Sequence, residues 1–217
     1  MKAIVLLSGG IDSAVVLALA LEAKKEVIAL SFDYGQRHRI ELSYAKELAS
    51  YFGIGHRLIK IDTTAFAKTS LIGGADVPKN RDLATIASSG IPNTYVPARN
   101  TLFLAFALAQ AELLDATEIH AGPNLLDQKP YPDCRPEFYK AFQGLMNVAT
   151  KQAIEGHPPQ LLTPLIHLDK KAIVQEATRL HVPLEKTFSC YSPASNGKPC
   201  NTCDACAIRR DALKYTQ

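Results

Sequence analysis

No stretch of this chain stays apolar for long, no basic block interrupts it, and it contains no internal repeat. Its longest apolar run, from Leu102 to Leu114, is broken by Gln110 and Glu112. That falls short of the roughly 20 residues a membrane-spanning helix needs. The first seven residues are too few for a signal-peptide core and carry no small-residue cleavage site, so they read as a buried strand. The formal charge of +3 is scattered over 217 residues, so electrostatics gives no reason to expect a direct nucleic-acid partner. A soluble, cytoplasmic protein with a small acidic ligand and no membrane association is expected. With 47% hydrophobic and 21% charged residues, the chain has the balance of one globular unit around a single core.

Short β-branched runs alternate with amphipathic stretches, which predicts an α/β fold: a doubly wound, mostly parallel five-stranded sheet. Strands are expected at 3–7, 26–32, 56–61, 117–121 and 161–166, and helices from Ser13 and over 40–51, 100–114, 136–151 and 169–180. Between Asp62 and Tyr95, glycines and prolines without periodicity suggest a lid. The main unit is expected over 1–185, with a cysteine-bearing appendage over 186–217 packed on it.

Ser8-Gly9-Gly10-Ile11-Asp12-Ser13 lies directly between the first strand and the first helix. Glycines let the backbone approach an anion, and free helix N–H groups with the helix dipole attract it. Asp12 suits a magnesium ion carried by a nucleotide, or a helix cap. Any strand-to-helix turn favours Gly, Ser and Asp; the whole string at this junction is what argues for phosphate. No Gly-Lys-Ser/Thr follows and the dinucleotide glycine spacing is absent, which weakens kinase and hydride-transfer readings.

Cys190, Cys200, Cys203 and Cys206 supply four thiolates with two Cys-x-x-Cys steps, a spacing suited to one closed, structural zinc ion per chain. A redox pair at Cys203 and Cys206, or an iron-sulfur cluster, uses the same spacing. Cys134 has no partner in sequence and reads as a buried, inert thiol. Other candidates sit at element ends. Arg37, His38 and Arg39 offer cations for a carboxylate or phosphate, or form a solvated basic turn. Arg99 can reach an anion while Asn100 caps the helix, or both belong to an ordinary cap. Tyr131 can stack on a purine-like ring whose edge meets Asp133 and Arg135, unless these residues only form a proline-rich turn. Lys170, on the sequence alone, is a surface lysine at a helix start.

The loop string resembles that of the ATP-pyrophosphatase, or PP-loop, superfamily, which splits ATP between its α- and β-phosphates. The resemblance implies an adenine nucleotide α-hydrolase-like fold. It also implies ATP with Mg²⁺ held by Leu7, Ser8, Gly9, Gly10, Ile11, Asp12, Ser13, Ala14 and Val15, with the adenine beside Ser31 and Phe32. Three further strings, beginning at Phe32, Ile91 and Tyr131, together with the terminal cysteines, narrow the resemblance to the 7-cyano-7-deazaguanine synthase family. They span nearly the whole chain in the expected order.

That resemblance implies an ATP-dependent ligase of queuosine biosynthesis. It would convert 7-carboxy-7-deazaguanine and ammonia to 7-cyano-7-deazaguanine through a carboxylate adenylate, as a homodimer, with Lys170 near the phosphates. Ammonia must come from solution or a partner, because no glutaminase segment is visible. Two departures stand out: Ala98 replaces the family's usual glycine before Arg99, and Gln128-Lys129-Pro130 replaces its Ser-Gly-containing loop, which leaves the exact substrate open. The rival readings are a tRNA-thiolating PP-loop enzyme, which would need a tRNA-binding extension, and a non-catalytic adenine-nucleotide-binding zinc module.

Overall fold

Strands that are apolar on both faces belong in the middle of a parallel sheet with helices on either side, and the computed structural model, which describes residues 1–62, 69–73 and 76–216, has that arrangement. The strands are β1 (Lys2–Leu6), β2 (Glu26–Asp33), β3 (Gly55–Lys60), β4 (Glu118–His120) and β5 (Gln160–Leu162). They lie in the order β3-β2-β1-β4-β5, and every neighbouring pair is parallel. The helices are α1 (Ile11–Glu22), α2 (Glu41–Tyr51), α3 (Leu83–Ser88), α4 (Arg99–Leu113), α5 (Pro136–Met146), α6 (Lys151–Ile154), α7 (Lys170–Arg179) and α8 (Asp204–Ala212).

Alternation along each strand divides the core in two. Val5, Val27 and Ala29 pack under α1, α2 and α7 with Leu17, Leu48 and Ile173. Ile4, Leu30 and Phe32 face α4 and α5, meeting Leu104, Phe142 and Met146. The sheet is therefore doubly wound, and the strand order reverses between β1 and β4. A crevice opens at the carboxyl ends of strands at such a switch point, where open α/β sheets bind their ligands.

Several elements differ from the sequence expectation. The last strand stops at Leu162 because Pro164 has no N–H to extend the ladder. The helix expected over 136–151 ends at Met146, and Thr150 caps a separate short helix by accepting from Ala153 N–H. Of the expected lid, 63–68 and 74–75 lie outside the described residues, and the remainder includes α3, capped by Asp82.

The cysteine-bearing tail also contains α8, which the sequence reading left without structure. It docks at several points: Lys79 bridges Cys203, Asn80 N–H donates to Thr202 O (2.7 Å), and Phe188 stacks on Tyr44 at 5.1 Å. Arg81 pairs with Asp204 across the same junction.

Candidate active site

The loop after β1 is shaped before any ligand arrives. Gly9 adopts φ +89°, and a Cβ there would lie 2.4 Å from Glu41 O, so only glycine lets the loop press against α2. Phe188 N–H donates to Gly9 O (2.8 Å), tying the loop to the tail. Ser13 Oγ donates to Gly10 O (3.0 Å) and accepts from Ser8 N–H (3.2 Å). Gly10 stands at the N-cap of α1 with extended backbone and no side-chain cap, so the first-turn amides of a 12-residue helix keep their capacity for an anion.

Charged groups converge beside this loop. Lys170 Nζ at the start of α7 lies 2.6 Å from Asp12 Oδ2. Asn124, fully buried just past β4, donates from Nδ2 to Asp12 Oδ2 (3.2 Å) and to Asp127 Oδ2 (2.5 Å). Burial raises the Asp127 carboxyl above the ordinary range, and Asp12 adds to this while Lys170 opposes it. For Lys170, burial works against the charge, but Asp12 and Asp127 outweigh it and the net shift is upward. Asn124 and Asp127 were not singled out in the sequence; their place at the carboxyl end of a parallel strand was the available signal.

A cavity of about 320 Å³ extends from the loop toward an aromatic wall. Phe32 stacks on Phe103 at 4.1 Å, and Tyr34 tilts against the same ring at 5.5 Å. Arg99 lies over Phe103 at 5.8 Å. Tyr131 shares a 3.0 Å hydrogen bond with Thr94, and burial raises its phenol. Tyr34, fully enclosed, is pushed up to about 12 by burial. Tyr191, from the tail, completes the wall.

The expected residues divide by placement. Leu7, Ser8, Gly10, Ile11, Asp12 and Ser13 line the cavity, as do Phe32, His38, Arg99, Asn100, Tyr131 and Lys170. Ala14 and Val15 turn into the core beneath α1. Ser31 points to the opposite face of β2 from Phe32, donating to Leu7 O (2.5 Å) and meeting His56 Nε2 at 2.8 Å. Arg37 is exposed and outside the lining.

Asp133 and Arg135, read as contacts to a ring edge, are placed otherwise. The Asp133 carboxylate accepts from Asn100 N–H at 3.0 Å and caps α4, while Asn100 Nδ2 donates to Asp133 O (2.9 Å) and Cys134 Sγ (3.3 Å). Asn100 is thus capped rather than capping. Arg135 is exposed and donates from Nε to Gln128 O (3.0 Å). Ala98 precedes this helix at φ +53°, the left-handed region that favours the glycine it replaces. Gln128, Lys129 and Pro130 do not line the cavity; Lys129 Nζ donates instead to Ala87 O in α3 (2.7 Å).

The four tail cysteines form one cluster, with all Sγ atoms within 4.8 Å of one another. Individual S···S distances are 3.5 Å for Cys190 to Cys200, and 4.0 Å for both Cys200 to Cys206 and Cys203 to Cys190. Four sulfurs about 2.3 Å from one tetrahedral ion stand roughly 3.8 Å apart, so the cluster fits a single metal ion. A cuboidal iron-sulfur cluster needs wider spacing to fit its irons and sulfides between the thiolates. Backbone N–H groups of Ser192, Cys200 and Cys203 point at the sulfurs at 3.4, 3.2 and 3.4 Å, as expected around anionic thiolates. Ser189 and Tyr191 flank Cys190 and face the cavity, so the cluster fixes part of its wall.

Comparison with known proteins places these features in context. Residues 2–217 match the family described as queuosine biosynthesis protein QueC. The 7-cyano-7-deazaguanine synthase of Prochlorococcus marinus (strain MIT 9215) is 48% identical over 212 residues, covering 97% of this chain and 92% of that protein. The enzyme of the same name from Anaeromyxobacter dehalogenans (strain 2CP-C) is 48% identical over 211 residues, covering 96% of this chain and 89% of its own. Among solved structures, NMN synthetase from Francisella tularensis superposes with a TM-score of 0.51 at 20% identity, over 92% of this chain and 70% of that one. The U34-tRNA thiolase NcsA from Methanococcus maripaludis gives 0.52 at 15% identity, over 99% and 64%. Those two likenesses concern the fold alone. Among the described residues no helix is long and apolar enough to cross a membrane.

Proposed function

The chain belongs to the family of queuosine biosynthesis protein QueC, and from that premise we propose that it acts as a 7-cyano-7-deazaguanine synthase, an ATP-dependent ligase. The reaction it would carry out joins 7-carboxy-7-deazaguanine and ammonia through a carboxylate adenylate. The observation that carries this reading is that the uncapped start of α1, the Asp12 and Lys170 pair and the aromatic wall with Arg99 all open into one cavity. Phosphates and a flat acidic heterocycle can meet there.

In this reading the loop from Ser8 to Ser13 holds the β- and γ-phosphates, and Lys170 stabilises the charge that gathers on departing pyrophosphate. Asp12, with Asp127 beside it, would hold Mg²⁺, which when bound neutralises phosphate charge. Leu30 and Phe32 offer the adenine an apolar seat, while Tyr131, Tyr191 and Phe103 supply ring faces for the deazapurine. Arg99 is placed to orient the carboxylate. Because Gln128, Lys129 and Pro130 are off the cavity, their departure from the family pattern gives no cause to change the substrate. Most of the barrier reduction would come from positioning and preset charge.

The cysteine cluster would hold one structural zinc ion: four thiolates close its coordination and leave no position for a reacting water. The same compactness disfavours the sulfur-carrying reading, in which a cysteine must reach a tRNA base. A cytoplasmic homodimer is supported by the family resemblance, and Leu113, Val148 and Ile154 are exposed apolar side chains available to a second copy.

The test is to incubate the protein with ATP and Mg²⁺, with and without 7-carboxy-7-deazaguanine and ammonium. The reading requires AMP and a nitrile product that depend on the acid. A nucleotide-binding module without catalysis gives no acid-dependent AMP.

A further inference from the structure

His38 is only 5% exposed and lines the cavity, yet its Nδ1 is buried without a hydrogen-bond partner among the described residues. A buried polar atom left unpaired costs stability, and it persists where a ligand or reacting group meets it. The other ring nitrogen is engaged, with Nε2 3.2 Å from Glu41 Oε2. A carboxylate only accepts, so its place beside Nε2 favours the tautomer with the hydrogen there and the lone pair on Nδ1.

Glu41 is itself held in place. Gln36 Nε2 donates to Glu41 Oε1 (3.1 Å) and to Phe32 O (3.0 Å), and Gln36 Oε1 accepts from Tyr34 N–H at 2.9 Å. The Tyr191 ring packs edge-on against His38 at 5.9 Å. A carboxylate beside one nitrogen of an imidazole, with the opposite nitrogen unpartnered in the wall of a cavity, is the arrangement a general base needs. The other unpaired buried nitrogen of the cavity wall, Arg99 Nε, belongs to a permanent cation that can bind an anion but cannot accept a proton.

Resting on the ligase reading above, we propose that His38 is the proton acceptor of the nitrogen-transfer step. Ammonia's lone pair forms the C–N bond at the acyl carbon, the C–O bond to AMP breaks with its electron pair leaving on AMP, and one N–H proton passes to His38 Nδ1. In the nitrile-forming round, the amide loses one N–H proton to solvent as its oxygen is adenylated. The second passes to His38 as AMP leaves. Between rounds, while nucleotide exchanges, the imidazolium returns its proton to water.

The preceding step, adenylation of the acid, transfers no proton and can be read separately as acid-dependent exchange of labelled pyrophosphate into ATP without ammonium. In His38→Gln, single-turnover amide formation falls by about 100-fold or more while that exchange stays within about threefold of the parent. Glu41→Gln, which keeps a hydrogen bond but removes the charge supporting the imidazolium, gives a smaller loss in the same step. His38→Asn repeats the split, and thermal melting shows whether each variant is folded. Loss of exchange and amide formation together, or undiminished amide formation in a folded variant, overturns the proposal. A parent protein with no acid-dependent exchange overturns the ligase reading instead.

Discussion

Lys170 Nζ reaches Asp12 Oδ2 at 2.6 Å across 158 residues of sequence, joining the starts of α7 and α1 at one end of the sheet. The ammonium faces two carboxylates, Asp12 and Asp127, and the helix terminus where phosphate charge would gather. Removing it leaves carboxylates facing an anionic substrate without a counter-charge. Lys170→Ala is expected to lower kcat/KM by about 10²- to 10³-fold. Asp12→Asn is expected to abolish turnover while metal content at the cysteines stays unchanged. Steady-state kinetics and metal analysis of the purified variants check both.

At Ala98, φ +53° puts a Cβ where the left-handed region penalises it. Ala98→Gly removes that strain and is expected to raise unfolding free energy by about 1 kcal/mol. Urea titration reads this as a higher midpoint with unchanged slope. A lower midpoint would show that Ala98 is compensated by packing that a glycine forfeits.

The four-cysteine cluster bears on the cavity wall through Ser189 and Tyr191. Prolonged chelation, or Cys203→Ser at a fully buried ligand position, is expected to lower the melting temperature and turnover together. Elemental analysis should fall from about one ion per chain in step with both, since a closed four-thiolate site holds one. Full activity in a metal-free, folded protein would separate the cluster from the wall.

His56, half-buried beside Ser31, has its pKa lowered by burial first and by Lys46 second. An unfolded histidine titrates near about 6.5, so as pH drops the unfolded chain takes up the proton before the folded one does. This contribution to stability is whole above that value and is lost as pH falls through the folded-state pKa. His56→Gln is expected to flatten that acid-side decline, measured as denaturation midpoints between neutral and mildly acidic pH.

What the sequence disclosed was whatever lies close together in it. The strand, loop and helix from Lys2 to Glu22 are contiguous, and so are the spacings of Cys200, Cys203 and Cys206. What it hid is assembled by the sheet: Asp127 and Tyr191 reach the cavity, and Asn124 reaches Asp12, from segments that only the order β3-β2-β1-β4-β5 brings together. Asp133 looked like a recognition residue because nothing local shows that its carboxylate caps a helix starting 34 residues earlier, at Arg99. Lys170 read alone was a surface cation; the fold sets it 2.6 Å from Asp12 in the first turn of α1. Strand β5 ended early at a proline visible in the sequence, and α8 escaped notice because its buried face is made of small residues, Ala205, Cys206 and Ala212, rather than of large apolar side chains.

The central claim is that the acid's own oxygen attacks the innermost phosphate of ATP. Turnover of 7-carboxy-7-deazaguanine labelled with oxygen-18 in its carboxylate, followed by mass analysis of the nucleotide, tests this directly. The account predicts that label appears in the phosphoryl group of AMP and that pyrophosphate is released. Unlabelled AMP, or ADP with labelled orthophosphate, would contradict it.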